Sequence, residues 1–152
     1  MRLSKRGEYG LRAMIMLATQ AETGAPMPML QIKDMSQREK IPAKFLEQIL
    51  LTLKNAGMLH SKMGVGGGYY LSRAPEQITL GQIVRALDGP LAPVNCVSQM
   101  AYEPCGCPDE ATCGLRMVMG DVRNAISNVL DRTSLAEVTS RVDAVKTSIN
   151  KP

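Results

Sequence analysis

The chain has 152 residues, 45% hydrophobic and 21% charged, an ordinary globular balance that suits one core and an extension to it. With Arg2, Lys5, Arg6 and Arg12 in its first turns and no apolar run of about 18 residues, it is expected to carry neither a secretory leader nor a spanning helix, and so to be cytoplasmic with no membrane partner. The net charge of +4 is uneven: residues 1–90 hold 12 Lys and Arg against 7 Asp and Glu, and residues 91–131 hold 2 against 5, so the front half suits a polyanion.

Ser4 can cap a first helix in which Leu11, Met14, Ile15 and Ala18 recur at helical spacing, ending near Glu22, Thr23 and Gly24. After the turn-like Gly24-Ala25-Pro26, a short amphipathic stretch from Gln31 to Lys40 sets Ile32 and Met35 against Lys33, Gln37 and Arg38. It stops at Ile41, because a proline disfavours helix in the residue before it. Pro42 is then predicted as the first residue of a helix running to Ala56, with Leu46, Ile49, Leu50 and Leu53 inward and Gly57 closing it. Two helices across a tight break predict a helix-turn-helix. The second presents Lys44, Glu47 and Gln48 on one face of its N-terminus, where such proteins touch base edges. The bland alternative for that face is a solvated surface.

Two strand-like runs, Met58 to Met63 and Tyr69 to Ser72, flank Gly64-Val65-Gly66-Gly67-Gly68 and predict a hairpin wing. A phosphate-binding loop is the rival reading, but no Gly-Lys-Ser/Thr follows the glycines and no helix starts after them. Thr79 then caps a helix with Leu80, Ile83, Val84 and Leu87 on its apolar face, broken by Asp88-Gly89-Pro90. Beyond residue 114, Leu115, Val118, Val122, Ile126 and Val129 recur at spacings of three to four residues, giving a helix with little domain left to pack on. A second copy of the chain is its expected mate, and folding back on its own domain is the alternative. The fold class predicted is mainly α with a small β-hairpin wing. It divides into a winged helix-turn-helix domain (1–90), a cysteine loop (91–114), a dimerisation helix with its following segment (115–140) and a flexible tail (141–152).

All four cysteines, Cys96, Cys105, Cys107 and Cys113, fall in that loop, among Pro104, Gly106, Pro108 and Gly114. Clustered thiols in a reducing compartment favour a metal or redox site over disulfides. The spacing lacks the paired C-x2-C knuckles of structural zinc, which favours iron–sulfur ligation, with zinc as the alternative. A redox enzyme exchanging Cys105 and Cys107 would need an exposed thiolate of low pKa and a substrate pocket. No C-x-x-C opens a helix in a βαβ unit, so neither an enzyme nor a small-molecule substrate is expected.

The opening residues 1–14, the block Ile-Pro-Ala-Lys-Phe-Leu-Glu-Gln-Ile-Leu at 41–50, Gly64 to Tyr69, the cysteine loop and Thr133 to Val138 occur in that order. Together they resemble the IscR/NsrR/RirA-type regulators of the Rrf-two family over about residues 1–140. The resemblance implies a dimeric winged helix-turn-helix protein that binds double-stranded operator DNA. It also implies an iron–sulfur cluster, expected as 2Fe-2S with 4Fe-4S as the alternative. The family's three cluster cysteines fall best on Cys96, Cys107 and Cys113; the first interval is longer here, and Cys105 is an extra candidate for the middle ligand. The IscR branch has a histidine where this chain has Arg116. The NsrR branch reaches the partner subunit's cluster with an acidic residue of the first helix, a position held here by Glu8. Family members insert a wing arginine where this chain has Met63, beside Lys62. Arg2, Lys5 and Arg6 can neutralise phosphates.

Overall fold

The computed structural model describes residues 2–21 and 28–152; the predicted end of the first helix near Glu22 and the turn at Gly24-Ala25-Pro26 lie outside the described residues. Among the described residues the elements are α1 (Lys5–Ala21), α2 (Ile32–Glu39), α3 (Ala43–Asn55), β1 (Leu59–Lys62), β2 (Gly68–Leu71), α4 (Leu80–Asp88), α5 (Gly114–Arg132) and α6 (Leu135–Ile149). Short 3-10 turns at Pro75–Gln77 and Asn95–Val97 complete them. This is a mainly helical, winged helix-turn-helix protein with a two-stranded antiparallel hairpin, as the sequence predicts. No helix among the described residues is long and apolar enough to cross a membrane.

Ser4 caps α1, its Oγ accepting from the Gly7 amide at 3.0 Å. The Ser4 amide and hydroxyl both donate to the Asp88 carboxylate at the end of α4, so the cap is also a tether. The buried face of α1 is rotated from the predicted stripe: Gly7, Gly10, Ala13, Met14, Leu17 and Ala18 are buried, while Leu11 and Ile15 are only partly covered. Close approach to α4 explains the rotation. A Cβ at Gly10 would fall 2.1 Å from Leu87 Cδ1, and one at Gly7 2.5 Å from an Asp88 oxygen.

α2 ends at Lys40, whose φ of 55° reverses the chain, and its amide donates to the Ser36 carbonyl. Pro42 then occupies the N-cap of α3, one place earlier than predicted; its extended ψ of 127° lies outside the helix while its carbonyl accepts from the Leu46 amide at 2.9 Å. Leu46, Ile49, Leu50 and Leu53 are all fully buried, as their spacing predicts. They join Met14, Leu17, Met35, Leu59, Ile78 and Ile83 in one aliphatic core. Each such side chain contributes about 1.5–3 kcal/mol of transfer free energy. Gly57, at φ 81°, turns the chain from α3 into β1.

Thr79 and Gln82 form a reciprocal capping box at the start of α4. That start is also stitched to the junction between α5 and α6. The Leu80 amide donates to the Thr133 carbonyl and the Leu135 amide to the Ile78 carbonyl, both at 2.9 Å. Arg85 of α4 grips both oxygens of Asp131 in α5 at 2.5 and 2.9 Å. The guanidinium holds the Asp131 carboxyl below the usual carboxylate range, and the same pairing raises Arg85.

The segment 141–152, expected to be a tail, is helical as far as Ile149 because α6 continues through it. Ser134 caps α6, accepting from the Glu137 amide at 3.1 Å, and Glu137 pairs with Arg141 one turn on.

Candidate nucleic-acid interface and cysteine loop

The helix-turn-helix leaves Lys44, Glu47 and Gln48 exposed along α3. Leu51, half exposed, continues that face one turn further. Sequence reasoning missed it, because a leucine in a helix is ordinarily assigned to the core; its place three residues after Gln48 was the available signal. Such a side chain suits a thymine methyl, while Lys and Gln suit guanine and adenine edges in a major groove.

Arg2 and Lys5 are exposed at the start of α1, and Lys5 pairs with Glu8 at 3.0 Å. Arg6 behaves otherwise. Its Nη2 donates to Thr52 Oγ1 of α3 at 2.6 Å, its Nε is buried with no hydrogen-bond partner, and Thr52 Oγ1 in turn donates to the Gln48 carbonyl at 3.0 Å. Arg6 therefore braces α1 against the exposed helix. A second brace is aromatic: Tyr9 of α1 meets Phe45 of α3 edge to face at 5.6 Å. Arg12 lies 5.6 Å from the Tyr9 ring centroid and donates to Glu39 at the end of α2. Glu8 lies within 3.8 Å of Arg12, so within one chain it faces cations of its own helix.

The wing pairs Leu59 with Leu71, His60 with Tyr70, Ser61 with Tyr69 and Lys62 with Gly68. It is fastened on both sides. Lys54, in the last turn of α3, donates to Ser61 Oγ at 2.8 Å, and Leu30 and Tyr69 exchange amide hydrogen bonds at 2.8 and 2.9 Å. Lys62 and Met63 are exposed at the tip.

All four cysteines carry free thiols. Cys96 is buried in the 3-10 turn, Cys105 and Cys113 are half-buried, and Cys107 is exposed. Neighbouring thiols shift one another's acidity in chain order, Cys105 acting on Cys96, Cys107 on Cys105, and Cys105 and Cys113 on Cys107. Loss of water pushes the Cys96 thiol up, with Cys105 adding to the rise. Cys107, between two sulfurs, is pushed up to about 12, first by Cys105 and then by Cys113. Hydrogen bonding from Cys107 lowers Cys105. Among the described residues no three donors are gathered as tightly as a metal requires. The chemistry of the donor set, four free thiols on one loop, nonetheless fits a thiolate-ligated centre.

Polar contacts shape this loop independently of sulfur. Tyr102 donates to both Glu110 oxygens at 2.6 and 2.7 Å, which raises the phenol. Arg116 lies 3.5 Å from Glu110 and donates to the Cys96 carbonyl at 3.3 Å, while Arg123 donates to the Val97 carbonyl at 2.7 Å. The position where the IscR branch has histidine is thus a clasp between α5 and the loop. Thr112 holds the Asp109 carboxyl down by hydrogen bonding. Cys113 is the N-cap of α5, its Sγ accepting from the Arg116 amide at 3.5 Å.

α5 buries none of its 19 residues within the chain. Leu115, Val118 and Val129 are more than half exposed, with Val122 and Ile126 partly covered. An apolar stripe that its own chain leaves open is a candidate interaction surface.

The family model for Rrf2, an iron-dependent transcriptional regulator, matches residues 3–141. An rrf2-like HTH-type transcriptional regulator of Rhodobacter capsulatus is 37% identical over 137 residues, 90% of this chain and 91% of the relative. Among solved structures, CymR, the global cysteine regulator of Bacillus subtilis, aligns with a TM-score of 0.76 at 33% identity, covering 93% of this chain and 98% of that one. IscR of T. potens aligns with a TM-score of 0.72 at 27% identity, covering 93% and 88%.

Proposed function

We propose that this chain, which belongs to the Rrf2 family of transcriptional regulators, binds operator DNA as a homodimer and adjusts its grip through an iron–sulfur cluster held by the cysteine loop. Family membership makes it a regulator and not an enzyme. The observation that carries the cluster reading is the set of four free thiols on one loop, the last of which caps α5. Cys96, Cys107 and Cys113 are the proposed ligands, with Cys105, or Glu8 from the partner subunit, as the fourth. A 2Fe-2S cluster suits this set, and 4Fe-4S is the alternative. When bound, the group supplies a centre that responds to oxidants and to iron supply. The protein's own part is to hold the loop through Tyr102, Glu110 and Arg116 and to join it to α5.

On DNA, Lys44, Glu47, Gln48 and Leu51 face base edges, Arg2 and Lys5 face phosphates, and Lys62 and Met63 lie at the wing. Dimerisation along Leu115, Val118, Val122, Ile126 and Val129 presents two recognition helices about 34–36 Å apart to a pseudo-palindromic site. Operator binding implies a cytoplasmic protein.

Anaerobically purified protein is expected to be coloured, with iron and acid-labile sulfide, and Cys96→Ala or Cys113→Ala to abolish both. Full colour and iron in either variant would remove that residue from the ligand set. A thiol-only regulator of the same fold is the second reading, favoured by four free thiols of which, among the described residues, no three are gathered for a metal. Colourless protein whose operator affinity follows thiol oxidation would establish it.

A further inference from the structure

The tip of the wing carries two large apolar side chains that nothing in the chain covers: Met63 is 92% exposed and Val65 fully so. Both sit between Lys62 and Gly68, the last pair of the ladder. The backbone that presents them is closed by glycine. The Gly67 amide donates to the Gly64 carbonyl at 3.1 Å, making a four-residue turn with Val65 and Gly66 at its corners. Gly66 has φ 75°, the positive value a type II turn requires at its third position. A Cβ at Gly67 would fall 2.1 Å from the Lys62 carbonyl oxygen, and one at Gly68 2.6 Å from that of Leu30. The tip is thus built on backbone packed as closely as side-chain-free residues allow, and it holds Val65 outward at the apex.

Charge indicates what the tip meets. From Gln48 to Pro75 the chain has no Asp or Glu, whereas Lys54, Lys62 and Arg73 fall within it. Lys62 adjoins the tip and Lys54 reaches Ser61 one residue further down the strand, whereas Arg73 lies at the base of the hairpin beside Gly57; an apolar point flanked by these lysines matches a groove floored by bases and walled by phosphates. The Lys54–Ser61 hydrogen bond fixes the wing relative to α3, so a duplex that receives α3 also receives the tip.

From this we infer that Met63 and Val65 form an apolar wedge that enters the minor groove beside the site of α3 and partly unstacks one base step. Sequence preference there comes from the ease of unstacking, which is greatest at pyrimidine–purine steps such as TA, and not from hydrogen bonds to base edges. The inference rests on operator binding by the winged domain.

The test uses the full chain and duplexes recovered by it from a randomised pool, with a fluorescent adenine analogue at the step under the wing and dyes at the duplex ends. Wild-type protein should brighten the analogue, shorten the end-to-end distance by bending, and prefer TA over AA at that step. The near-isosteric double variant Met63→Gln/Val65→Thr, and Met63→Ala/Val65→Ala beside it, should lose the brightening and the bend. Their affinity for the TA duplex should fall about tenfold, the size of one lost base-pair preference, with salt dependence unchanged because neither residue carries a charge. Unaltered brightening and TA preference in both variants would overturn the wedge while leaving operator binding intact. A change of oligomeric state in the variants, with the bend retained, would overturn it in favour of a protein contact. Wild-type protein that binds no duplex would overturn the operator reading and the wedge together.

Discussion

Arg6 separates two accounts of the same cation. As a phosphate contact it would act on DNA affinity; as the brace seen here it acts on α3, through a 2.6 Å hydrogen bond to Thr52 and a buried Nε with no partner. Thr52→Val removes the acceptor without changing shape or charge and leaves the guanidinium half-buried and further unsatisfied. A hydrogen bond to a charged group contributes about 1.5–3 kcal/mol, and partial solvent access reduces this to about 1–2 kcal/mol. In a chain of this length that corresponds to a fall in Tm of roughly 2–8 °C. Arg6→Met should also destabilise, yet leave the slope of log K against log salt at its wild-type value, since a true phosphate contact contributes about 0.9 to that slope. Thermal denaturation by circular dichroism and salt-titrated DNA binding read the two effects separately. A neutral Thr52→Val together with a slope flattened by about one unit in Arg6→Met would refute the brace.

Gln48→Ala should cost about 1–3 kcal/mol at a single base-pair position and relax preference there; equal loss on operator and random DNA, measured by competition binding, would contradict base reading by α3. Gly67→Ala, whose Cβ would meet the Lys62 carbonyl at 2.1 Å, should weaken DNA binding while helical circular dichroism stays at the wild-type level. The lowered carboxyl of Asp131 stabilises the fold above the ordinary carboxylate pKa of about 4, and this contribution is lost as pH falls through the lower folded value. Because both side chains are partly exposed, it amounts to less than about 1 kcal/mol. Asp131→Asn should accordingly flatten the acid limb of a stability–pH curve, which urea denaturation at a series of pH values measures.

Periodicity carried the winged domain well where side chains decide the packing. The α3 stripe from Leu46 to Leu53, the Thr79 cap and the glycine hairpin are local features, and local chemistry is what a sequence displays. It misjudged α1, where contact is closest at Gly7 and Gly10: counting apolar side chains overlooks residues whose contribution is to have none. Pro42 was displaced by one because its fixed φ serves an N-cap as well as a first helical turn. The helical course of 141–149 went unseen because its apolar residues are sparse and solvated; Ser134 and Glu137 were its one clear start signal. In the candidate site, the cysteines announced themselves by clustering. The Tyr102–Glu110–Arg116 clasp and the Arg6–Thr52 pair did not, since each joins polar residues whose proximity exists only in three dimensions.

α5 is a rod about 28 Å long at 1.5 Å per residue, and its two ends are held differently. Its N-terminal half hangs on one sulfur, the Cys113 cap, and on Arg116 and Arg123, which reach loop carbonyls. The far end is clamped to α4 by the Asp131 pair and by the backbone stitches around Thr133. Clamp and loop are thus parts of one continuous path: from the Cys113 cap along about five helical turns of α5 to the Asp131 clamp, through α4, and by the Asp88 tether to the start of α1.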